Sequence, residues 1–222
     1  MCGRFTLIAP GEAVAEMFDL PETPELAPRY NIAPTQPVAA VRYNADKGTR
    51  ELTHFYWGLI PSWSKDPTIG SRMINARSET AAEKPSFRSA FKYRRCLVPT
   101  DGFYEWWQVD GGKQPVRIHM KDERPFAIAG LWEHWQGPDG SEIESCTLLT
   151  TTPNELLEKV HNRMPVIVAP EDYELWLDPG AQHPGEVQGL MRPFSSEAMT
   201  FYPVSTHVNN PRNEDPQCIV PL

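Results

Sequence analysis

Two stretches decide the fold: Phe103–Met120, FYEWWQVDGGKQPVRIHM, and Phe126–Thr151, FAIAGLWEHWQGPDGSEIESCTLLTT. Each is a pair of apolar, β-branched and aromatic runs broken by a turn, Asp110-Gly111-Gly112 in the first and Asp139-Gly140 in the second. Asp-Gly at the break supplies the positive backbone angles that a tight hairpin needs. Two long hairpins in succession predict an antiparallel core. Working outward, residues 37–43, 51–60 and 199–204 also read as strands, and 23 prolines with 14 glycines cut the chain into short elements. Helices are few. PGEAVAEMFDL at 10–20 places Ala13, Val14, Met17 and Phe18 on one stripe, and PNELLEKV (153–160) and PEDYELWL (170–177) each open on proline, as a first helical turn tolerates. Strands do not alternate with helices, so a doubly wound sheet is excluded. The expectation is an α+β fold, one domain over residues 1–222, with a curved antiparallel barrel-like β core and short peripheral helices.

At 222 residues and 40% hydrophobic content the chain can bury a substantial core. No apolar run nears the roughly 20 residues that span a bilayer, and MCGRFTLIAP has no basic region followed by a long apolar one. The four cysteines, at 2, 96, 146 and 218, form no Cys-x-x-Cys pair, which argues against a zinc framework, and Cys96, Cys146 and Cys218 read as small buried hydrophobes. A net charge of −8 disfavours a general nucleic-acid binder. Locally the balance inverts. Residues 71–95 carry seven basic side chains, Arg72, Arg77, Lys84, Arg88, Lys92, Arg94 and Arg95, against Glu79 and Glu83, enough for an anion track.

Several residues carry chemistry. Loss of Met1 would give Cys2 a free α-amine beside its thiol, and a 1,2-aminothiol closes on an aldehyde as a five-membered thiazolidine. Arg4 would lower the pKa of both groups, and Gly3 leaves room for close approach. Glu105 alternates onto one face of its strand with Phe103 and Trp107, where desolvation raises a carboxyl pKa toward neutrality; Arg163 is a candidate partner for it. His161 follows the 153–160 helix, whose C-terminal end would favour the imidazolium. Asn75 and Arg77 lie in the basic stretch, one able to orient an adduct and the other to fork onto phosphate. Trp63 sits in a proline-bounded loop, placed to stack on a base.

These blocks, in order along nearly the whole chain, resemble the SRAP (SOS-response-associated peptidase) family: MCGRF at 1–5, RYNIAPTQ at 29–36, WGLIPSW at 57–63, INARSET at 74–80, KPSFRSAF at 84–91, DGFYEW at 101–106, HNRMPVI at 161–167 and VNNPRNE at 208–214. The resemblance implies covalent capture of abasic sites in single-stranded DNA by Cys2 once Met1 is gone, with self-processing as the source of the word peptidase. It implies that Asn75 positions the adduct, that Glu105 is the general acid and base, and that His161 moves protons at the sugar. Arg4, Arg77 and Arg163 would contact phosphates, Trp63 would stack, and Pro34 would line the strand's path. It implies no metal, no cofactor and no membrane, and a cytoplasmic monomer that meets the nucleoid at damaged DNA. Asn162 stands where the family pattern usually has Asp, which removes a carboxylate that could raise the His161 pKa. Two other classes share some of these features. One is an N-terminal-Cys amidotransferase-type hydrolase; the other is a non-catalytic single-stranded DNA reader using Trp63 and the arginines.

Overall fold

A computed structural model of the chain describes residues 2–222. The strands, in order, are β1 (Phe5–Leu7), β2 (Arg29–Ile32), β3 (Pro37–Asn44), β4 (Thr49–Trp57), β5 (Asn75–Arg77), β6 (Arg95–Thr100), β7 (Gly102–Val109), β8 (Gly112–Met120), β9 (Phe126–Gln136), β10 (Glu142–Thr151), β11 (Met164–Pro165), β12 (Ile167–Val168) and β13 (Met199–Pro203). The helices are short: α1 (Gly11–Phe18), α2 (Ser78–Ala81), α3 (Arg88–Tyr93), α4 (Tyr173–Leu177) and α5 (Pro184–Val187). Among the described residues, no helix is long and apolar enough to cross a membrane.

Both predicted hairpins form. β7 pairs antiparallel with β8 from Phe103↔Ile118 to Val109↔Gly112, and β9 pairs with β10 from Gln136↔Glu142 to Gly130↔Leu148. Gly111, Gly112 and Gly140 all take positive φ at the turns. The second hairpin closes a ring: β10–β4, β4–β3, β3–β6 and β6–β9 complete a five-strand barrel with β9–β10. The pairing differs from the antiparallel expectation at the seam. There β10 runs parallel to β4 (Ser145↔Tyr56) and, further on, to β5 (Leu148↔Asn75). Closure removes the free edges that an open sheet of this length would expose.

A second sheet, ordered β13-β8-β7-β1-β2, packs against the barrel, and one contiguous core runs through both. Alternation along β7 sends Phe103 and Glu105 to that core, while Tyr104 faces outward onto a smaller cluster with Val204, Val208 and Cys218 in the C-terminal turns. Trp57, fully buried, ties the pieces together. Its ring meets Phe5 at 5.1 Å, its indole N–H donates to the Ile74 carbonyl at 2.9 Å, and its carbonyl accepts from Thr35 at 2.9 Å. The starts of β1 and β5 are thereby held at one indole, and the Pro34 loop at the backbone of the same residue.

The Trp63 loop is pinned by a close crossing of two backbones. Gly58 has φ +144°, and a methyl group added there would lie 2.6 Å from the Gly70 carbonyl oxygen. Gly58→Ala is expected to lose roughly 1–3 kcal/mol from the backbone angle alone, more with the clash, read as a fall in the urea midpoint at constant slope.

One predicted helix is missing. Residues 153–160 form successive turns, with the Leu157 and Glu158 amides both bonded to the Asn154 carbonyl, and Val160 and His161 both to that of Leu157. The Asn154 side chain intervenes, accepting from Leu157 N–H at 3.0 Å and donating to the Phe194 carbonyl at 2.8 Å. An Asx side chain that bonds the local backbone offers it an alternative to the helical ladder. His161 therefore sits after a turn, and no helix dipole acts on it.

Candidate active site

Cys2 lies just ahead of β1, which pairs with β7 at Phe5↔Phe103, while the Tyr104 amide donates to the Arg4 carbonyl at 2.9 Å. This register sets the N-terminal residues alongside Glu105. The residue is 0% exposed, and its thiol is pushed up to about 12 by burial and then by the charge of Glu105; the Arg4 amide, donating to the sulfur, pulls the other way. The expected lowering by the Arg4 side chain is not found. That guanidinium is spent on Asn31 Oδ1 at 2.7 Å and the Val208 carbonyl at 2.9 Å, and it lies 5.7 Å above the Trp106 ring. Arg4 locks the N-terminal strand to the C-terminal turns rather than activating the sulfur. A thiol in this state is a neutral nucleophile that needs a base.

Glu105 is the carboxyl beside it. It is 4% exposed, and burial raises its pKa, with the charge of His161 among the influences that oppose the rise. The prediction that Arg163 pairs with it is corrected. Arg163 instead forks onto Glu79, Nη1 to Oε1 at 2.6 Å and Nη2 to Oε2 at 2.8 Å, and also donates to the Thr150 carbonyl. Asn75, opening β5, donates from Nδ2 to the Cys2 carbonyl at 2.8 Å and so holds the Cys2 backbone; its Oδ1 is buried without a hydrogen-bond partner among the described residues. Such an acceptor is costly to leave unmade unless a substrate group completes it. His161 Nδ1 accepts the Arg163 backbone N–H at 3.0 Å.

Arg77 and Trp63 are exposed, Trp63 to 60%, and Pro34 is half-buried. The basic stretch is thinner than its count suggests. Arg94 pairs with Glu133 at 2.9 Å, and Arg95 is buried, donating to the carbonyls of Trp176, Phe91 and Asp178. Arg72, Arg77, Lys84 and Arg88 stay exposed.

The SRAP family model, described as SOS response associated peptidase, matches residues 1–211. The chain belongs to the SRAP family. The SRAP chain is 45% identical over 224 residues to abasic site processing protein YoqW of Bacillus subtilis, covering 99% of each, and 41% identical over 223 residues to YoaM of the same organism, covering 99% and 97%. It is 37% identical over 225 residues to HMCES of Gallus gallus, covering 88% of this chain and 66% of the relative. Among solved structures, a protein from Bacteroides thetaiotaomicron shares the SRAP fold with a TM-score of 0.87 at 29% identity, covering 100% of both chains. One from Bordetella bronchiseptica has a TM-score of 0.80 at 26% identity, covering 92% and 100%.

Two groups escape a reading of the SRAP sequence. Glu79 was counted only against the basic stretch; its place two residues after Arg77 was the available signal. His207, Asp215 and Cys218 bring ligand-type atoms within 4.8 Å of one another, which the absence of Cys-x-x-Cys did not anticipate. Their groups are wired as a lock: His207 Nε2 to Asp215 at 2.9 Å, Asn213 Nδ2 to His207 Nδ1 at 3.1 Å, and the Cys218 thiol to the Asn213 carbonyl at 3.4 Å. That lock holds the turns on which Arg4 hangs.

Proposed function

We propose that the chain captures the ring-opened aldehyde of an abasic site in single-stranded DNA as a thiazolidine on Cys2, after removal of Met1. The observation that carries this is the convergence of three groups: a buried Cys2 whose carbonyl is held by Asn75, beside a buried carboxyl of raised pKa. Relatives up to 45% identical are named abasic site processing proteins, which agrees with the reading. Met1, whose loss the reaction requires, lies outside the described residues.

The α-amine of Cys2 attacks the aldehyde carbon, and protonated Glu105 gives its proton to the departing oxygen, which leaves as water. One amine proton having passed to that oxygen, the Schiff base is left protonated on nitrogen. The carboxylate takes the thiol proton as sulfur adds to the C=N carbon, which restores protonated Glu105, and the ring nitrogen keeps its one remaining proton. Two bonds to carbon form and one water is lost. Reversal runs the same steps backward. His161, its charge felt at Glu105, moves the proton that opens the closed sugar. Asn75 Oδ1 accepts from a sugar hydroxyl. Arg77 and the exposed basic residues hold phosphates, Trp63 stacks on a base, and Pro34 borders the path.

Intact mass of the purified protein, before and after adding abasic single-stranded oligonucleotide, tests this. Expected are an initial mass short by one methionine and a product heavier by the oligonucleotide less one water. A chain that binds the oligonucleotide only reversibly, releasing it in high salt, would be a reader instead. Ammonia released from glutamine would point to the amidotransferase class. Trp63→Ala is expected to weaken binding to intact single-stranded DNA by about 1–3 kcal/mol, roughly five- to 150-fold in Kd by fluorescence anisotropy, with the fold unchanged.

A further inference from the structure

Glu79 has no part in the chemistry above, yet it grips the residue that touches His161. It lies in the first turn of α2, two residues after Arg77, and its two carboxylate oxygens take the two terminal nitrogens of Arg163 at 2.6 and 2.8 Å. The same guanidinium donates to the Thr150 carbonyl, and Thr150 is paired with Arg77 of β5 on one side and Pro165 of β11 on the other. Three acceptors from two elements leave the Arg163 side chain one orientation. The Arg163 side chain is only 14% exposed, whereas that of Glu79 is 46% exposed, so the fork is anchored on a largely covered cation. Glu79 is held below the usual carboxylate range, first by its hydrogen bond to Arg163, and so remains charged at neutral pH.

The backbone of Arg163 does the next step. Its amide donates to His161 Nδ1 at 3.0 Å. The Arg163 carbonyl oxygen lies 3.3 Å from the same nitrogen and would take a proton there. The shorter contact is to the peptide N–H, which can only donate, so Nδ1 presents its lone pair and the neutral ring carries its proton on Nε2. Where the ring's proton sits depends on where one peptide plane points, and that plane belongs to the residue Glu79 clamps. We infer that Glu79 is a positioning residue which, through Arg163, keeps His161 in the Nε2-protonated tautomer. The inference rests on the proposed role of His161 in proton transfer, but the tautomer can be measured without DNA.

The test compares wild type with Glu79→Ala, Glu79→Gln and Glu79→Asp as full-length proteins, with thermal melting as the folding control. Ring 15N shifts of His161 at high pH are expected to show a protonated Nε2 and a bare Nδ1 in wild type. Glu79→Ala and Glu79→Gln should show mixed tautomers, and Glu79→Asp, which retains a bidentate acceptor, should return toward wild type. Crosslinking to abasic single-stranded DNA should slow on the order of 10- to 100-fold in Glu79→Ala and shift its pH profile, with Glu79→Asp partly rescued. Unchanged ring signals in Glu79→Ala overturn the inference whatever the rate does. So does tighter DNA binding with an unaltered ring, which would make Glu79 a phosphate surrogate that withholds Arg163. If wild type itself forms no adduct, the proposed function fails, and the ring shifts still decide the role of Glu79.

Discussion

Cys2→Ala is expected to leave no denaturation-resistant adduct with abasic single-stranded DNA, where wild type converts fully in excess protein. The alanine variant keeps an α-amine at the same place and can still form an imine, but nothing adds to the C=N bond, so water reverses it. Borohydride should trap this imine in Cys2→Ala and gain little over the untreated reaction in wild type. The thiol's setting sharpens the expectation. With its pKa pushed up to about 12, very little thiolate exists at neutral pH, so sulfur is not the first nucleophile. In the proposed mechanism the amine therefore acts first, and the sulfur follows when a base is ready. A heat-stable band from Cys2→Ala on a denaturing gel, without reductant, would remove the thiazolidine from the mechanism.

The second large effect belongs to that base. Glu105→Gln is expected to slow adduct formation by about 10²- to 10⁴-fold, the usual worth of a positioned general acid or base, while binding of intact single-stranded DNA stays at the wild-type level. The same change should make the protein more stable. Burial raises the Glu105 pKa, so the folded state holds this proton more tightly than the unfolded chain. Below the unfolded value, about 4.3, both states are protonated and the carboxyl costs nothing. As pH climbs through the raised folded value, that advantage of the folded state is lost, because ionisation inside the core is disfavoured. Glutamine carries no such burden. Its melting temperature should exceed that of wild type at neutral pH, and the two should converge in acid. A variant that crosslinks at the wild-type rate would strip Glu105 of its role.

The inward placement of Glu105 was legible in the sequence, because alternation along FYEWW sets it on one face with Phe103 and the Asp-Gly turn pairs its strand with the next. What could not be read is pairing across the fold. Strand periodicity says which face a residue occupies but nothing about which distant strand it joins, so the parallel seam between β4 and β10 was invisible. The same limit misjudged the arginines. A cation's neighbours in sequence do not reveal whether Glu133 or three buried carbonyls lie waiting for it, as they do for Arg94 and Arg95. Arg4 was expected beside the sulfur and is bound to Val208. Residues 153–160 carry a helical pattern, but the pattern has no term for an Asn154 side chain that takes the first backbone amide for itself.

The bond between Arg4 and the Val208 carbonyl joins positions 204 residues apart. A ribosome releases the first of these long before the second, so this tie closes after β2, Trp57, Asn75 and β7, the N-terminal segment's other partners, have already emerged. Once the last turns emerge, the guanidinium of Arg4, two residues from Cys2, gains the Val208 carbonyl. The last contact to hold the N-terminal segment is therefore one that only the finished chain can make.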